Sequence, residues 1–375
     1  MSTPGALRIL MVDSEYSWRG GQAQVFLLMR GMVEAGQRVA LAAPGNGALY
    51  ARSAELGVER FPWSGRGPRG VLALRRLLRA DRFDVVHTHA SRAHGAVALA
   101  GIGARARPVH VVSRRVDFAV GTSPWGRWKY HRGADAYIAI SNGVRDVLLA
   151  GGVDAGSITV VPSGIDLEKF ARVRDPSYLR DEFALGHNSP VIVNVAALAP
   201  HKAQSVLLEA LARLRDRAGL RCFIVGEGTL RASLERMARD LRIDSMVTFT
   251  GFRTDALEFI RLADVFVMSS RLEGLGTSIM DAQALGAPVV ATRTGGIPEL
   301  IDDGVTGLLV PPGQAPARAD AIGRMLDDAE LRAAMARAAK ARAGRYDYRH
   351  TVYKTLDVYR RLCHVDTPLE GNSSR

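Results

Sequence analysis

Short apolar runs alternate with stretches of helical periodicity along most of this chain, and many of the runs end in a glycine-bearing turn. A strand buried on both faces reads as an unbroken apolar run, and strands that alternate with helices build parallel sheets. The first series opens with LRILMVDSEY, then Gly20-Gly21 and AQVFLLMRGMVEAG. It continues with RVALAAP, FDVVHTHA before GAVALAGIGA, PVHVVSRR, and DAYIAIS before NGVRDVLLAGG. These five strand–helix alternations predict a doubly wound parallel sheet. A second series follows VVPSGIDLEKF: PVIVNVAAL, RCFIVGEG, VTFTGF, ADVFVMSS, APVVATRTGG and GLLVPP, with helices AQSVLLEALARLRD and LRASLERMARDLRI between the early ones.

A length of 375 residues exceeds what one core organises, so the two series are read as two domains. The expected division is 1–165, 166–346 and a closing segment 347–375, with a linker near Pro162, Gly164 and Pro176. In DYRHTVYKTLDVYRRL, Val352, Leu356, Tyr359 and Leu362 recur at helical intervals, which predicts a helix returning to the first domain. The last ten or so residues read as a frayed end.

Two cysteines far apart, Cys222 and Cys363, fit a reducing cytoplasm and make no zinc-ligand pattern. The opening MSTPGALRILMVDSEY lacks a basic start followed by a long apolar stretch, so no secretion signal is expected. Residues 1–165 hold 21 Arg+Lys against 11 Asp+Glu, whereas the remainder is nearly balanced at 29 against 27. Such asymmetry suits an anionic partner, either a membrane surface, a phosphorylated acceptor or nucleic acid. Arginine outnumbers lysine 45 to 5, so base composition of the gene explains the same excess.

The richest stretch is RLEGLGTSIMDAQALG, residues 271–286. It follows the strand ADVFVMSS, so its turn lies at the carboxyl end of a parallel sheet, where ligands of open α/β folds bind. Gly274 and Gly276 admit an anion close to the backbone, with Leu275 between them. A helix starting near Thr277 offers unpaired N–H groups and a partial positive charge to phosphate. Asp281, one turn in, can accept hydrogen bonds from ribose hydroxyls. Ser278-Ile-Met-Asp281 also matches a capping box, in which the acid only caps its own helix.

VVATRTGGIPELIDDGVTGLLVPP follows directly. With it, residues 264–312 resemble the family 4 glycosyltransferases, retaining enzymes of the GT-B fold. That likeness extends over nearly the whole chain. It implies an α/β architecture of two Rossmann-like domains facing each other across a cleft, with a C-terminal helix crossing back to the first. By this resemblance Glu273 contacts the sugar of a nucleotide-sugar donor, and Asp281, where Glu is usual, binds the ribose. NVAALAPHKAQ matches the diphosphate-binding loop in part: Lys202 is kept, while Ala197 stands for an Arg and Ala203 for a Gly. One cation then remains where two are usual, and Arg271, Arg114 and Arg115 are the candidate substitutes. Gly226 and Gly228 of IVGEGTLR are placed near the nucleotide, and the backbone of Phe252 and Arg253 near the base edge. As a dinucleotide motif IVGEGTLR is incomplete, since Arg231 replaces the third glycine.

In the first half, the resemblance sets Gly20 and Gly21 against the donor phosphates and acceptor. FDVVHTHASRAHG holds His87, His89 and His94 without a neighbouring carboxylate or thiolate, which disfavours a metal site. His87 reads as a packed strand-end residue. His89 matches the family's cleft histidine, which contacts the transferred sugar, and His94 is a phosphate candidate in the following turn. PWGRWKYHR interleaves Trp125, Trp128 and Tyr130 with cations, a pattern suited to a headgroup interface or a sugar platform. No nucleic-acid fold signature accompanies it, and no nucleic-acid partner is expected.

The expectation is a metal-independent, retaining transfer of a sugar, a UDP-sugar being favoured, to a hydroxyl of a glycan or lipid-linked acceptor. The setting expected is polysaccharide or lipopolysaccharide assembly, in the cytoplasm or peripherally on the inner face of the plasma membrane, through a basic first domain. No cofactor is expected beyond the nucleotide-sugar co-substrate, and no D-x-D motif for a diphosphate-bound metal occurs. Two alternatives are a sugar-nucleotide epimerase or hydrolase on the same fold, and a non-catalytic carbohydrate-binding relative.

Overall fold

A computed structural model describes residues 5–65, 67–104 and 107–365. The chain forms two units, Met1–Gly164 with Tyr348–Arg375, and Ile165–Asp347.

The first unit holds seven strands: β1 (Arg8–Val12), β2 (Arg38–Ala43), β3 (Glu59–Pro62), β4 (Val85–Thr88), β5 (Val109–Arg114), β6 (Ala136–Ala139) and β7 (Ile158–Val160). They pair in the order β3-β2-β1-β4-β5-β6-β7, all parallel. The five apolar runs supply the interior of this sheet. The two edge strands, β3 (ERFP) and β7 (ITV), are additions to that reading. An edge strand is covered less completely, so short, half-polar sequences suffice there and leave no unbroken apolar signal.

In the second unit, β8 (Val191–Val195), β9 (Arg221–Val225), β10 (Val247–Gly251), β11 (Val265–Met268), β12 (Val289–Thr292) and β13 (Leu308–Val310) form a parallel sheet ordered β10-β9-β8-β11-β12-β13. Each of its six strands corresponds to one of the apolar runs.

In both sheets the winding direction reverses once, between β1 and β4 and between β8 and β11. Crossover connections leave in opposite directions at such a point and open a crevice beyond the strand ends. The residues just after β1, β4, β8 and β11 are therefore the ones that topology assigns to a site.

The closing helix, Tyr348–Cys363, belongs to the first unit. Val352, Leu356 and Tyr359 are buried in the same core as Ile9, Met11, Val25 and Met29. Burying each apolar side chain stabilises by about 1.5–3 kcal/mol. Two hydrogen bonds fix the helix at its start, Tyr348 OH donating to Glu34 Oε2 at 2.8 Å and Thr351 Oγ1 to the Pro162 carbonyl at 2.7 Å.

Candidate active site

Beyond β11, the turn 269–276 meets the loop that follows β8. Ser269 Oγ donates to the Lys202 carbonyl at 2.8 Å, and the Arg271 N–H donates to the His201 carbonyl at 2.8 Å. The Glu273 carbonyl accepts from the Gly296 N–H at 3.1 Å, which ties the turn to the loop after β12. With its backbone anchored on both sides, the turn brings the Glu273 carboxylate into an ion pair with Lys202 Nζ, and Ser270 Oγ donates to the same carboxylate oxygen at 3.0 Å. Both side chains are largely shielded, at 17% and 12% relative exposure. The pair spans the point where the sheet reverses.

The helix Thr277–Leu285 starts beside that pair. Its N-cap is Gly276, at φ 92° and ψ 64°, a left-handed conformation that favours glycine. No side chain caps this end and no acid lies in its first turn, so the helix presents its positive pole without an internal counter-charge. Gly274, Leu275 and Gly276 are buried, Leu275 turning its side chain into the core. Asp281 does not serve as a cap. Its Oδ1 accepts from Lys169 Nζ at 2.6 Å, a contact across 112 residues. Burial raises the Asp281 pKa, and Lys169 opposes that rise.

Gly226 and Gly228 pack under the 196–203 loop. A Cβ at Gly226 would fall 2.2 Å from the Ala196 carbonyl oxygen, and one at Gly228 would fall 2.2 Å from that of Leu198. Glycine at both positions lets two backbone segments touch, and the Leu198 N–H donates to the Glu227 carbonyl at 2.9 Å. The loop reaches Lys202 through Ala203, which holds φ 49° and ψ 42°. An L-residue in that region costs about 1–2 kcal/mol, a cost glycine would avoid.

Phe252 is exposed, and its N–H lies 3.4 Å from Glu227 Oε1. The Arg253 guanidinium is committed to Glu182 and Asp255, in contacts of 2.8–3.0 Å. Arg271 has an exposed side chain.

In the first unit, Gly20 and Gly21 open the helix Gly20–Glu34, again without a side-chain cap or an acid in the first turn. The buried Asp13 just after β1 accepts from the Glu15 N–H at 2.7 Å and from Gln22 Nε2 at 3.2 Å. Beyond β4, the His89 N–H donates to the Val12 carbonyl at 3.1 Å, across the reversal point. The His89 ring lies tilted at 41° against His87 with centroids 4.0 Å apart; its Nε2 lies 3.3 Å from Met11 Sδ, and its buried Nδ1 has no hydrogen-bond partner among the described residues. His87 is held by Tyr359 OH at Nδ1 and by Ser113 Oγ at Nε2, 2.8 Å away. Burial holds both imidazoles neutral, with their pKa values far below the usual range and nearby cationic groups adding to the shift.

His94 sits inside the helix Ser91–Ala100, edge-on to His110, Tyr130 and Tyr137. The expected open turn is instead an aromatic cluster, because the helix turns this ring inward. Arg114 is buried and spends its guanidinium on Tyr130 OH and the Phe118 carbonyl. Arg115 donates to Ser163 Oγ at 3.1 Å. Both arginines are thus engaged within the first unit. Trp125 stacks on Trp128 at 5.1 Å and is about half exposed, whereas Lys129 and Tyr130 are buried.

Among the described residues, no three His, Cys, Asp or Glu side chains converge as a metal site, and no helix is long and apolar enough to cross a membrane. Lys169, Ser270 and Tyr359 are the residues that sequence reading did not connect to the site.

Two doubly wound parallel units, each with a glycine-opened helix at its reversal point, define the GT-B class. The solved structure of HepE from Anabaena in complex with UDP superimposes with a TM-score of 0.82 over 94% of this chain and 99% of that one, at 21% identity. A model described as glycosyl transferases group 1 matches residues 178–342, and one described as glycosyltransferase family 4 matches residues 18–169. The chain belongs to the family 4 glycosyltransferases. Among curated relatives, it is 37% identical over 218 residues to a D-inositol 3-phosphate glycosyltransferase from Saccharomonospora viridis, covering 54% of this chain and 50% of that protein. It is 36% identical to a GDP-mannose-dependent α-(1-6)-phosphatidylinositol monomannoside mannosyltransferase from Mycolicibacterium smegmatis, covering 54% and 56%. The chain thus spans about half the length of these curated relatives.

Proposed function

We propose that this chain transfers a sugar, with retention of anomeric configuration, from a nucleotide-sugar donor to a hydroxyl of a glycan or lipid-linked acceptor. The observation that carries the proposal is the Lys202–Glu273 pair beside the uncapped start of the helix Thr277–Leu285. A cation and a helix N-terminus together stabilise a departing diphosphate, while the carboxylate orients sugar hydroxyls. In the step proposed, the bond from the anomeric carbon to the phosphate oxygen breaks as the bond to the acceptor oxygen forms on the same face. The acceptor's proton passes to the departing phosphate oxygen, so no separate general base is required. The lack of a D-x-D motif supports transfer without a divalent ion.

A UDP-sugar is the favoured donor. HepE has been solved with UDP-glucose, while the mannosyltransferase relative is named for GDP-mannose, so both nucleotides belong in the test. Both curated relatives carry a phosphorylated inositol in their names. Together with the positive first half of the sequence, this supports an anionic acceptor met at the inner face of the plasma membrane, in envelope polysaccharide or lipopolysaccharide assembly.

The test is a thermal-shift screen of UDP- and GDP-sugars, followed by turnover assays on any donor that raises Tm. Glu273→Ala should abolish transfer while the fold persists, and EDTA should leave the rate unchanged. Donor consumption that runs equally fast without any acceptor would point instead to a hydrolase or epimerase. Unchanged ligand affinity in Glu273→Ala, with no turnover in either protein, would leave only a binding protein.

A further inference from the structure

The helix Thr277–Leu285 carries Asp281 one turn below its start, and Lys169 reaches it from the 3-10 helix Leu167–Arg172 at the beginning of the second unit. Three observations distinguish this from an ordinary surface ion pair. The carboxylate is sheltered, at 17% relative exposure, and the ammonium is 32% exposed. Only Oδ1 is engaged, at 2.6 Å from Nζ, while Oδ2 has no hydrogen bond among the described residues. Lys169 itself is pre-positioned: Asp166 Oδ1 caps its short helix by accepting the Glu168 N–H at 3.0 Å, and Nζ lies 5.0 Å from the Phe170 ring centroid.

We propose that Lys169 is a positioning residue of the donor site, holding Asp281 by one oxygen so that the other is presented, as an acceptor, to the ribose hydroxyls of the nucleotide. The inference rests on the reading of Asp281 as the ribose contact. Two vicinal hydroxyls are donors toward a carboxylate, and the acid accepts through both oxygens, without a donor of its own, only while it is ionised. Burial alone favours the protonated form, which would turn one oxygen from acceptor to donor; the neighbouring ammonium, 2.6 Å from Oδ1, opposes that preference. The ammonium also fixes a carboxylate that is one methylene shorter than the usual glutamate and has less freedom to find the sugar by itself.

The test compares the binding of UDP, GDP and their 2′-deoxy counterparts to the full chain by titration calorimetry. Hydrogen bonds to a charged partner correspond to about tenfold or more in affinity. The wild-type chain should therefore prefer the ribonucleotide by about tenfold, and Asp281→Ala should erase that preference. Lys169→Met should erase it equally and raise donor KM about tenfold, with kcat at saturating donor within twofold of wild type. Lys169→Arg should restore most of both. A Lys169→Met chain that keeps full ribose discrimination while Asp281→Ala loses it overturns the role of Lys169 and leaves the donor site standing. If Asp281→Ala binds and discriminates like wild type, or if neither nucleotide binds at all, the ribose reading fails and this inference fails with it. Should Lys169→Met fold poorly, as judged by its Tm, Lys169→Gln keeps a donor without the charge and is read by the same ratio.

Discussion

Gly228 lies so close to the carbonyl oxygen of Leu198 that a side-chain carbon there would stand 2.2 Å away, well inside van der Waals contact. The neighbouring Gly226 meets Ala196 in the same way. The two glycines are thus the floor on which the Lys202 loop rests, and under the proposed function a change at either should reach the donor site through that loop.

Gly228→Ala must push the 196–203 segment outward or displace β9. Overpacking of this kind costs about 1–3 kcal/mol. We expect a lower denaturant midpoint with unchanged m, and a donor KM raised more than kcat is lowered. A Tm equal to that of wild type would show that the loop yields freely.

Tyr359→Phe removes the hydroxyl that meets His87 Nδ1 and leaves a buried ring nitrogen unpaired. An unsatisfied buried polar group costs about 1–3 kcal/mol. Because the His89 ring packs directly against His87, the same change should loosen His89. We expect reduced stability together with a fall in kcat, whereas Tyr353→Phe, on the exposed side of the same helix, should change neither.

Four histidines of the first unit, His87, His89, His94 and His110, are buried with their pKa values lowered by that burial, His110 to about 4. The unfolded chain takes up their protons near pH 6.5, while the folded chain refuses them. Stability from this source is therefore complete above about pH 7 and is lost as pH falls through 6.5, at up to about 1.4 kcal/mol per pH unit for each ring. Asp13 and Asp281, whose carboxyls are raised by burial, oppose part of the loss. Tm should fall clearly between pH 7.5 and 5.5; a flat profile across that range would mean that the rings protonate in place.

Lys202→Met removes the cation assigned to the leaving diphosphate and leaves Glu273 sheltered without its ammonium, though still bonded to Ser270. Loss of one such electrostatic group lowers kcat by about 10²–10³-fold. Removing one partner of a sheltered ion pair costs at most about 3–5 kcal/mol, so circular dichroism separates a lost fold from lost chemistry. A kcat within tenfold of wild type would assign diphosphate stabilisation elsewhere, with exposed Arg271 the next cation to test.

The parallel sheets, their reversal points and the start of the helix at Thr277 were legible in the sequence. The signals that carry them are local: unbroken apolar runs, glycine turns and helical spacing within a dozen residues. Edge strands β3 and β7 escaped because a strand covered on one side needs no such run.

What the sequence determined by itself was the set of groups on offer, namely Lys202, Glu273, Asp281, His89 and the glycines around them. Tertiary structure alone decided their partners. It turned Asp281 from a helix cap into the partner of Lys169, 112 residues away, and gave His87 a hydroxyl from a helix 272 residues distant. It also closed the arginines at 114 and 115 onto their own unit. A charge finds its counter-charge through space, and the distances that set that energy exist only once the two sheets have formed.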